Sequence, residues 1–181
     1  MDPIKIIQKY YATDSKAYEL LLWHSQAVAK KALEIAKRVP HLNPDLKFIE
    51  EAAMLHDIGC FLTNMPIIWC FWEKPYICHG YLGKEILEKE WFPKHAQVCE
   101  THVSVWLSIQ DIEEKKLPIP KKEILKISIE EEIICFADKF FSKDEKDITQ
   151  EKNIEKIREV LWKFNNNKLH IFDQWLEKFW E

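Results

Sequence analysis

The stretch AAMLHDIGCFL, residues 52–62, places an imidazole, His56, beside a carboxylate, Asp57, inside an otherwise apolar run. Burying a polar group without a partner costs on the order of a few kcal/mol, and burying an unpaired charge costs far more. The pair therefore either lies exposed at a helix end or has something to bind. The residues around it have helical period. Asn43-Pro44 predicts a helix start, the pattern runs to Ile58, and Gly59 is placed to close it.

Working outward, nearly every segment repeats at helical spacing and strand signals are scarce. Asp2-Pro3 reads as the N-cap and first position of a short helix ending near Tyr11. Asp14 or Ser15 starts a long helix through Val39, stopped by Pro40. Residues 60–78 hold two prolines, two tryptophans and no clear period, so a long irregular loop is expected there. Its rings Trp69, Phe71, Trp72 and Tyr76 serve either to stack on a nucleobase or to pack the loop onto the bundle, and packing is the expectation. Helices are predicted at 79–91, 93–108 and 129–142, the last capped by Ser128 with Glu131. Two more are expected at 148–164 and 168–180, parted by Asn165-Asn166-Asn167. The reading is an all-α single domain over residues 1–181 with seven or eight helices, a motif-bearing core at 16–143 and a C-terminal helical extension at 148–180.

Bulk properties narrow the function classes. Three glycines in 181 residues leave no Gly-rich loop to cradle phosphates, which excludes a P-loop and a dinucleotide fingerprint. A net charge of -4 argues against broad nucleic-acid binding. Five cysteines, with no C-x-x-C pair, read as reduced thiols of a cytoplasmic protein. No apolar run is long enough to span a membrane.

The decisive pattern is a set of ligand-type side chains where apolar ones belong. His24 falls in the stripe of Leu20, Leu21, Ala27 and Val28. His56 shares a face with Ile49, Ala52 and Ala53, and His102 lies with Val98, Cys99, Val105 and Trp106. Asp138 follows Ile134 and Cys135, and His79 opens a helix continuing through Leu82, Gly83 and Ile86. Any one of these could be a hydrogen-bonded core residue. Together they would be costly to satisfy separately, whereas a cation satisfies them at once. Mixed His and Asp ligands suit iron, manganese, zinc or nickel better than magnesium.

In order, His24, His56-Asp57 with Ile58-Gly59, His79-Gly80, His102 and Asp138 resemble the HD-domain metal-dependent phosphohydrolase superfamily in its HDIG form. The segments HGYLGKEIL (79–87), ETHVSVWL (100–107) and EEEIICFADKF carry the resemblance further. It implies an HD-domain-like helical bundle with the metal site at its centre. It also implies a first metal on His24, His56, Asp57 and Asp138, and a second on His79 and His102 with Asp57 bridging, so one or two divalent transition metals. The implied chemistry is hydrolysis of a small phosphoester, a nucleotide or dinucleotide among the candidates, with metal-activated hydroxide as nucleophile and Asp57 as the catalytic residue.

One departure stands out. Many relatives carry Lys or Arg just after the HDIG run, where this chain has Cys60, and Lys74, Lys84 or Lys139 would have to supply the charge. The ligand order also fits diiron HD-fold oxygenases and non-catalytic metal-binding sensors, so both remain alternatives to the hydrolase. A small phosphorylated molecule is the expected partner. The C-terminal WLEKFW is expected to dock on the core, and an exposed aromatic face there would serve a homodimer.

Overall fold

The computed structural model describes residues 1–181 apart from 104, 106, 123–126, 145–147, 149 and 181. The chain begins with a short helix α1 (Pro3–Ile7), whose first turn is capped by the Asp2 side chain on the Lys5 N–H. The longest element, α2 (Lys16–Arg38), starts where the Ser15 hydroxyl accepts from the Tyr18 N–H and ends before Pro40. Its apolar face places Val28, Ala32 and Ile35 in the main core, with His24 buried one turn earlier.

Next comes α3 (Leu46–Leu55), capped by Asp45 and not by Asn43, and packed along α2. It stops before the His-Asp pair. His56 is its C-cap, Asp57 follows, and Ile58–Leu62 form a 3₁₀ turn. Gly59 therefore lies within that turn, and no glycine has a positive φ. Its role is close approach, because a Cβ here would sit 2.3 Å from the His79 carbonyl oxygen and 2.4 Å from the Gly83 nitrogen.

The segment expected as an irregular loop carries regular structure. Strands β1 (Thr63–Met65), β2 (Cys70–Phe71) and β3 (Lys74–Pro75) form a small sheet in the order β2-β1-β3. β1 pairs antiparallel with β2, with Asn64 opposite Phe71, and parallel with β3, with Thr63 opposite Lys74. Strands this short are held by ladder bonds more than by a two-period apolar pattern, which is why the sequence hides them. Ile68 and Cys70 point inward while Trp69, Phe71 and Trp72 stand exposed, against the expectation that these rings pack down. Tyr76 alone turns inward, stacking on His79 with ring centroids 4.5 Å apart.

Helices α4 (His79–Lys89) and α5 (Pro93–Thr101) then pack against each other. Both end earlier than their periodicity suggests. A further helix, α6 (Ile109–Glu114), has a Ser108–Asp111 capping box that the sequence reading passed over. Helix α7 (Ile129–Asp138) carries the anticipated Ser128–Glu131 box, and α8 (Ile154–Phe164) and α9 (Asn166–Phe179) complete the chain. The described residues thus form nine α-helices, rather than seven or eight, with one small sheet.

The main core joins α2, α3, α7 and α9. Phe136 of α7 lies within 5.2 Å of Phe172 and 5.6 Å of Phe179, ring centre to ring centre, so the C-terminal helix closes the bundle over α7. All five cysteines are buried and outside any disulfide. No helix among the described residues is long and apolar enough to cross a membrane.

Candidate metal centre

Each of the six ligand-type residues sits at a point where an element is long enough, or stops soon enough, to aim it at one spot. His24 projects from the middle of α2 and Asp138 from the last residue of α7. His79 is the first residue of α4, while His56 and His102 are the C-caps of α3 and α5. A carbonyl oxygen near a helix end can accept a second hydrogen bond, and the histidines use such groups, with Val98 O and Tyr76 O also accepting from the main chain. Nδ1 of His56 lies 2.6 Å from the Ala53 oxygen, that of His79 is 2.6 Å from Tyr76 O, and that of His102 is 3.2 Å from Val98 O. With Nδ1–H donating outward, each Nε2 lone pair faces the centre.

The six side chains converge around Asp57. Its Oδ2 is 3.3 Å from His24 Nε2 and 3.2 Å from His56 Nε2. Its Oδ1 is 3.3 Å from both His79 Nε2 and His102 Nε2, which are themselves 3.1 Å apart. Asp138 joins the first group, with Oδ1 at 3.0 Å from His24 and 3.5 Å from His56. Two triads follow, His24–His56–Asp57 and Asp57–His79–His102, each compact enough to surround a metal ion. Trp106, read from the sequence as a neighbour of His102, lies outside the described residues.

Charge and satisfaction both fit a cation. His56 Nε2 and Asp57 Oδ1 are buried without a hydrogen-bond partner among the described residues, which is costly unless something else engages them; Asp57 Oδ2 meets the Lys143 ammonium at 2.9 Å. Burial, reinforced by the Lys143 ammonium, brings the His24 pKa down to about 4, and burial brings His79 down to about 3 against the pull of Asp57. His102 is likewise lowered by burial. These three are neutral donors at neutral pH. Burial opposes charge on His56 too, but Asp57 and Asp138 outweigh it and carry its pKa up to about 9. A cation bound there would take the place of that proton. Asp57 is held well below the carboxylate range, despite burial, by His56 and Lys143, and Asp138 by Lys139 and Lys143. The donor set suits a divalent transition metal.

Two lysines belong to the centre. Lys139 Nζ lies 2.9 Å from Asp138 Oδ2. Lys143 Nζ lies 2.9 Å from Asp57 Oδ2 and 3.8 Å from Asp138 Oδ1. They supply the positive charge that Cys60 does not. Of the other candidates, Lys84 pairs with Glu100 and Lys74 is exposed. Lys143 was missed because it lies beyond the end of α7, where helical period assigns no face. Tyr76 was missed as well; it holds His79 through both its carbonyl and its ring. His41 and His170 are exposed, and His95 lies half-buried between Phe48 and Phe92, 3.4 Å from Glu51; the metal groups include none of the three.

Comparison with known proteins agrees with this architecture. The HD domain family model matches residues 21–142, two thirds of the chain and all six converging residues. The chain belongs to the HD domain family. A tRNA (cytidine(56)-2'-O)-methyltransferase of Picrophilus torridus is 28% identical over 155 residues, covering 85% of this chain and 38% of that protein. One of the same name from Thermoplasma volcanium is 28% identical over 144 residues, covering 79% of this chain and 36% of that protein. An uncharacterized protein of Methanocaldococcus jannaschii is 29% identical over 134 residues, 74% of this chain and 64% of its own. The chain thus spans well under half the length of the two methyltransferases it matches. No solved structure matches it at the same level of significance.

Proposed function

We propose that the protein is a metal-dependent phosphohydrolase acting on a small phosphoester. His24, His56, Asp57 and Asp138 would hold one divalent ion, and His79 and His102 a second with Asp57 between them. The supporting observation is the division of Asp57, whose Oδ2 faces His24 and His56 while Oδ1 faces His79 and His102. A pair of divalent ions supplies Lewis acidity and lowers the pKa of coordinated water.

The chain's own residues do the rest. Asp57 fixes the spacing of the two groups, and the carbonyls of Ala53, Tyr76 and Val98 fix the imidazole tautomers. Lys139 and Lys143 place positive charge beside Asp138 and Asp57, which favours an anionic phosphoester over an uncharged C–H substrate for an oxygenase. In hydrolysis the water oxygen forms the new P–O bond, the ester P–O bond breaks, and a proton ends on the departing oxygen. The methyltransfer in the relatives' names is not carried over, because this chain covers 38% and 36% of those proteins. The tRNA in those names does put nucleotides first among substrates to try.

Elemental analysis of anaerobically purified protein, with a nucleotide and phosphoester panel on the same sample, tests the proposal. About two transition metals per chain, with phosphate release that chelator abolishes and manganese or iron restores, is the expected result. Two irons with oxygen consumption and no phosphate release would replace it with an oxygenase. Absence of any metal would remove its basis.

A further inference from the structure

Resting on that hydrolytic reading, we infer that the substrate carries a second anionic group besides the scissile phosphoester, received by a lysine-lined cleft beside the metal centre. The cleft, of about 290 Å³, is bounded by Tyr76, Asp138, Lys139, Ser142, Lys143 and Lys152, with the apolar side of α8 as its far wall. That size suits a small molecule and not a polymer.

The charge balance across the cleft is the first argument. Three ammonium groups line it, and Asp138 is the one carboxylate among its described lining residues. Lys139 is engaged by Asp138, and Lys143 by Asp57 and Asp138. Cations bound at the centre would claim both carboxylates, and the two lysines would then lose their counter-ions. A single phosphoester cannot answer that excess together with a third lysine. An anion-bearing ligand relieves it, since charge in a partly desolvated cleft is costly to leave unmatched.

The second argument is how Lys152 is held. No carboxylate lies within ion-pair distance of it among the described residues. Its main-chain N–H donates to the Phe140 oxygen at 2.7 Å, and its ammonium donates to the Phe141 oxygen at 2.8 Å. The side chain is thus tied down at the mouth of the centre without being neutralised. Burial lowers its pKa against the pull of Asp138, with Lys139 and Lys143 adding to the lowering, so a cation that claimed Asp138 would leave the Lys152 charge less favourable still.

The opposite side of Lys143 excludes the alternative placement. There the pocket next to His24 and Asp57 is lined by Leu20, Leu21, Cys60, Ile68, Cys70 and Ile148. Its free space is only about 20 Å³, room for a water and not for a phosphate, so the second anion falls to the cleft on the other side of Lys143.

The test compares a nucleoside 5′-monophosphate with the matching 3′,5′-bisphosphate on manganese-loaded protein. The bisphosphate should show at least a tenfold higher kcat/KM, carried by KM. Lys152→Gln should bring that ratio close to one and Lys152→Arg should restore it. Equal efficiency for the two compounds, or a ratio indifferent to Lys152→Gln, would overturn the inference while leaving the hydrolase reading intact. Turnover of neither compound would remove nucleotides from the substrate candidates and leave the hydrolase reading to the wider phosphoester panel. The cleft would then be judged by thermal shift alone on the same manganese-loaded protein. Pyrophosphate raising Tm more than orthophosphate, in wild type but not in Lys152→Gln, would support the anion subsite, and equal shifts in both would overturn it.

Discussion

Replacing Gly59 by alanine tests whether the 3₁₀ turn and α4 approach each other as closely as the structure shows. The φ of Gly59 is not positive, so the backbone accepts alanine. If space were free, the substitution would stabilise by about 0.4–1 kcal/mol through the unfolded chain. The new Cβ, however, would lie 2.3 Å from His79 O, 2.4 Å from Gly83 N and 2.9 Å from Gly83 Cα. All three are backbone atoms of one helix, so no side chain can swing aside and α4 itself must retreat by about an ångström. Overpacking of this kind costs about 1–3 kcal/mol, and a rigid helix as the opposing wall puts the expected loss near about 3 kcal/mol. For a chain of this size that is a fall in Tm of about 6–12 °C. Since His79 opens α4, the same retreat draws its imidazole away from Asp57 and should empty one metal group. Thermal unfolding and metal content of Gly59→Ala measure the two effects. Gly83→Ala serves as the milder comparison, because its Cβ meets neighbours only at 3.2–3.3 Å. A Tm for Gly59→Ala equal to or above wild type, with full metal content, would refute the close-approach argument.

Other consequences can be measured directly. Asp57→Ala should lose nearly all bound metal whereas His79→Ala should retain about one ion per chain; equal metal content in both variants would contradict the shared carboxylate. Lys143→Met removes an ammonium 2.9 Å from Asp57. At short range and an effective dielectric near 20 such a charge opposes a cation by up to about 4 kcal/mol, so metal should bind at least about tenfold tighter by competition with a chelating dye. Asp111, buried against Lys168 at 2.6 Å and bonded to Ser108, has its pKa lowered to about 2 by those partners despite burial. Because the folded pKa lies below the unfolded one, the stability it gives is complete above about pH 4 and is lost as pH falls toward 2, about 2 kcal/mol in all. Denaturant titrations at pH 5 and pH 2 should show that loss in wild type. Asp111→Asn should lack this share of it, while already being less stable at pH 7 because the buried Lys168 ammonium loses the charge of this carboxylate.

The helices were legible wherever a long apolar stripe met a clear cap. Ser15, Ser128 and Asp2 mark starts that the structure confirms. The same reading overran α3 and α5, since hydrophobic spacing continues past His56 and His102 although the backbone has already turned. There the polar residues themselves are the better signal, because an imidazole bonding back to the last turn's carbonyl belongs at a helix end. Gly59 was read as a stop for its conformational freedom, but the structure uses its missing Cβ. The convergence of six ligand-type side chains was legible, being inward polarity repeated on several helices. Lys143 and the small sheet were not, as neither depends on a local period. The exposed rings of Trp69, Phe71 and Trp72 show the limit of reading aromatics as core: a two-residue strand can hold the main chain while its side chains face water.

The grip of α9 on α7 has a genetic consequence. Phe136, enclosed by Phe172, Trp175 and Phe179, is two residues from Asp138 on the same short helix. The depth at which that carboxylate meets His24 is therefore set by rings more than thirty positions further along the chain. In a screen of random variants scored for retained metal, hits should cluster in the last helix as well as among the histidines. They would look like ligand losses although every ligand is present, and a second change that refills the cavity around Phe136 should revert them.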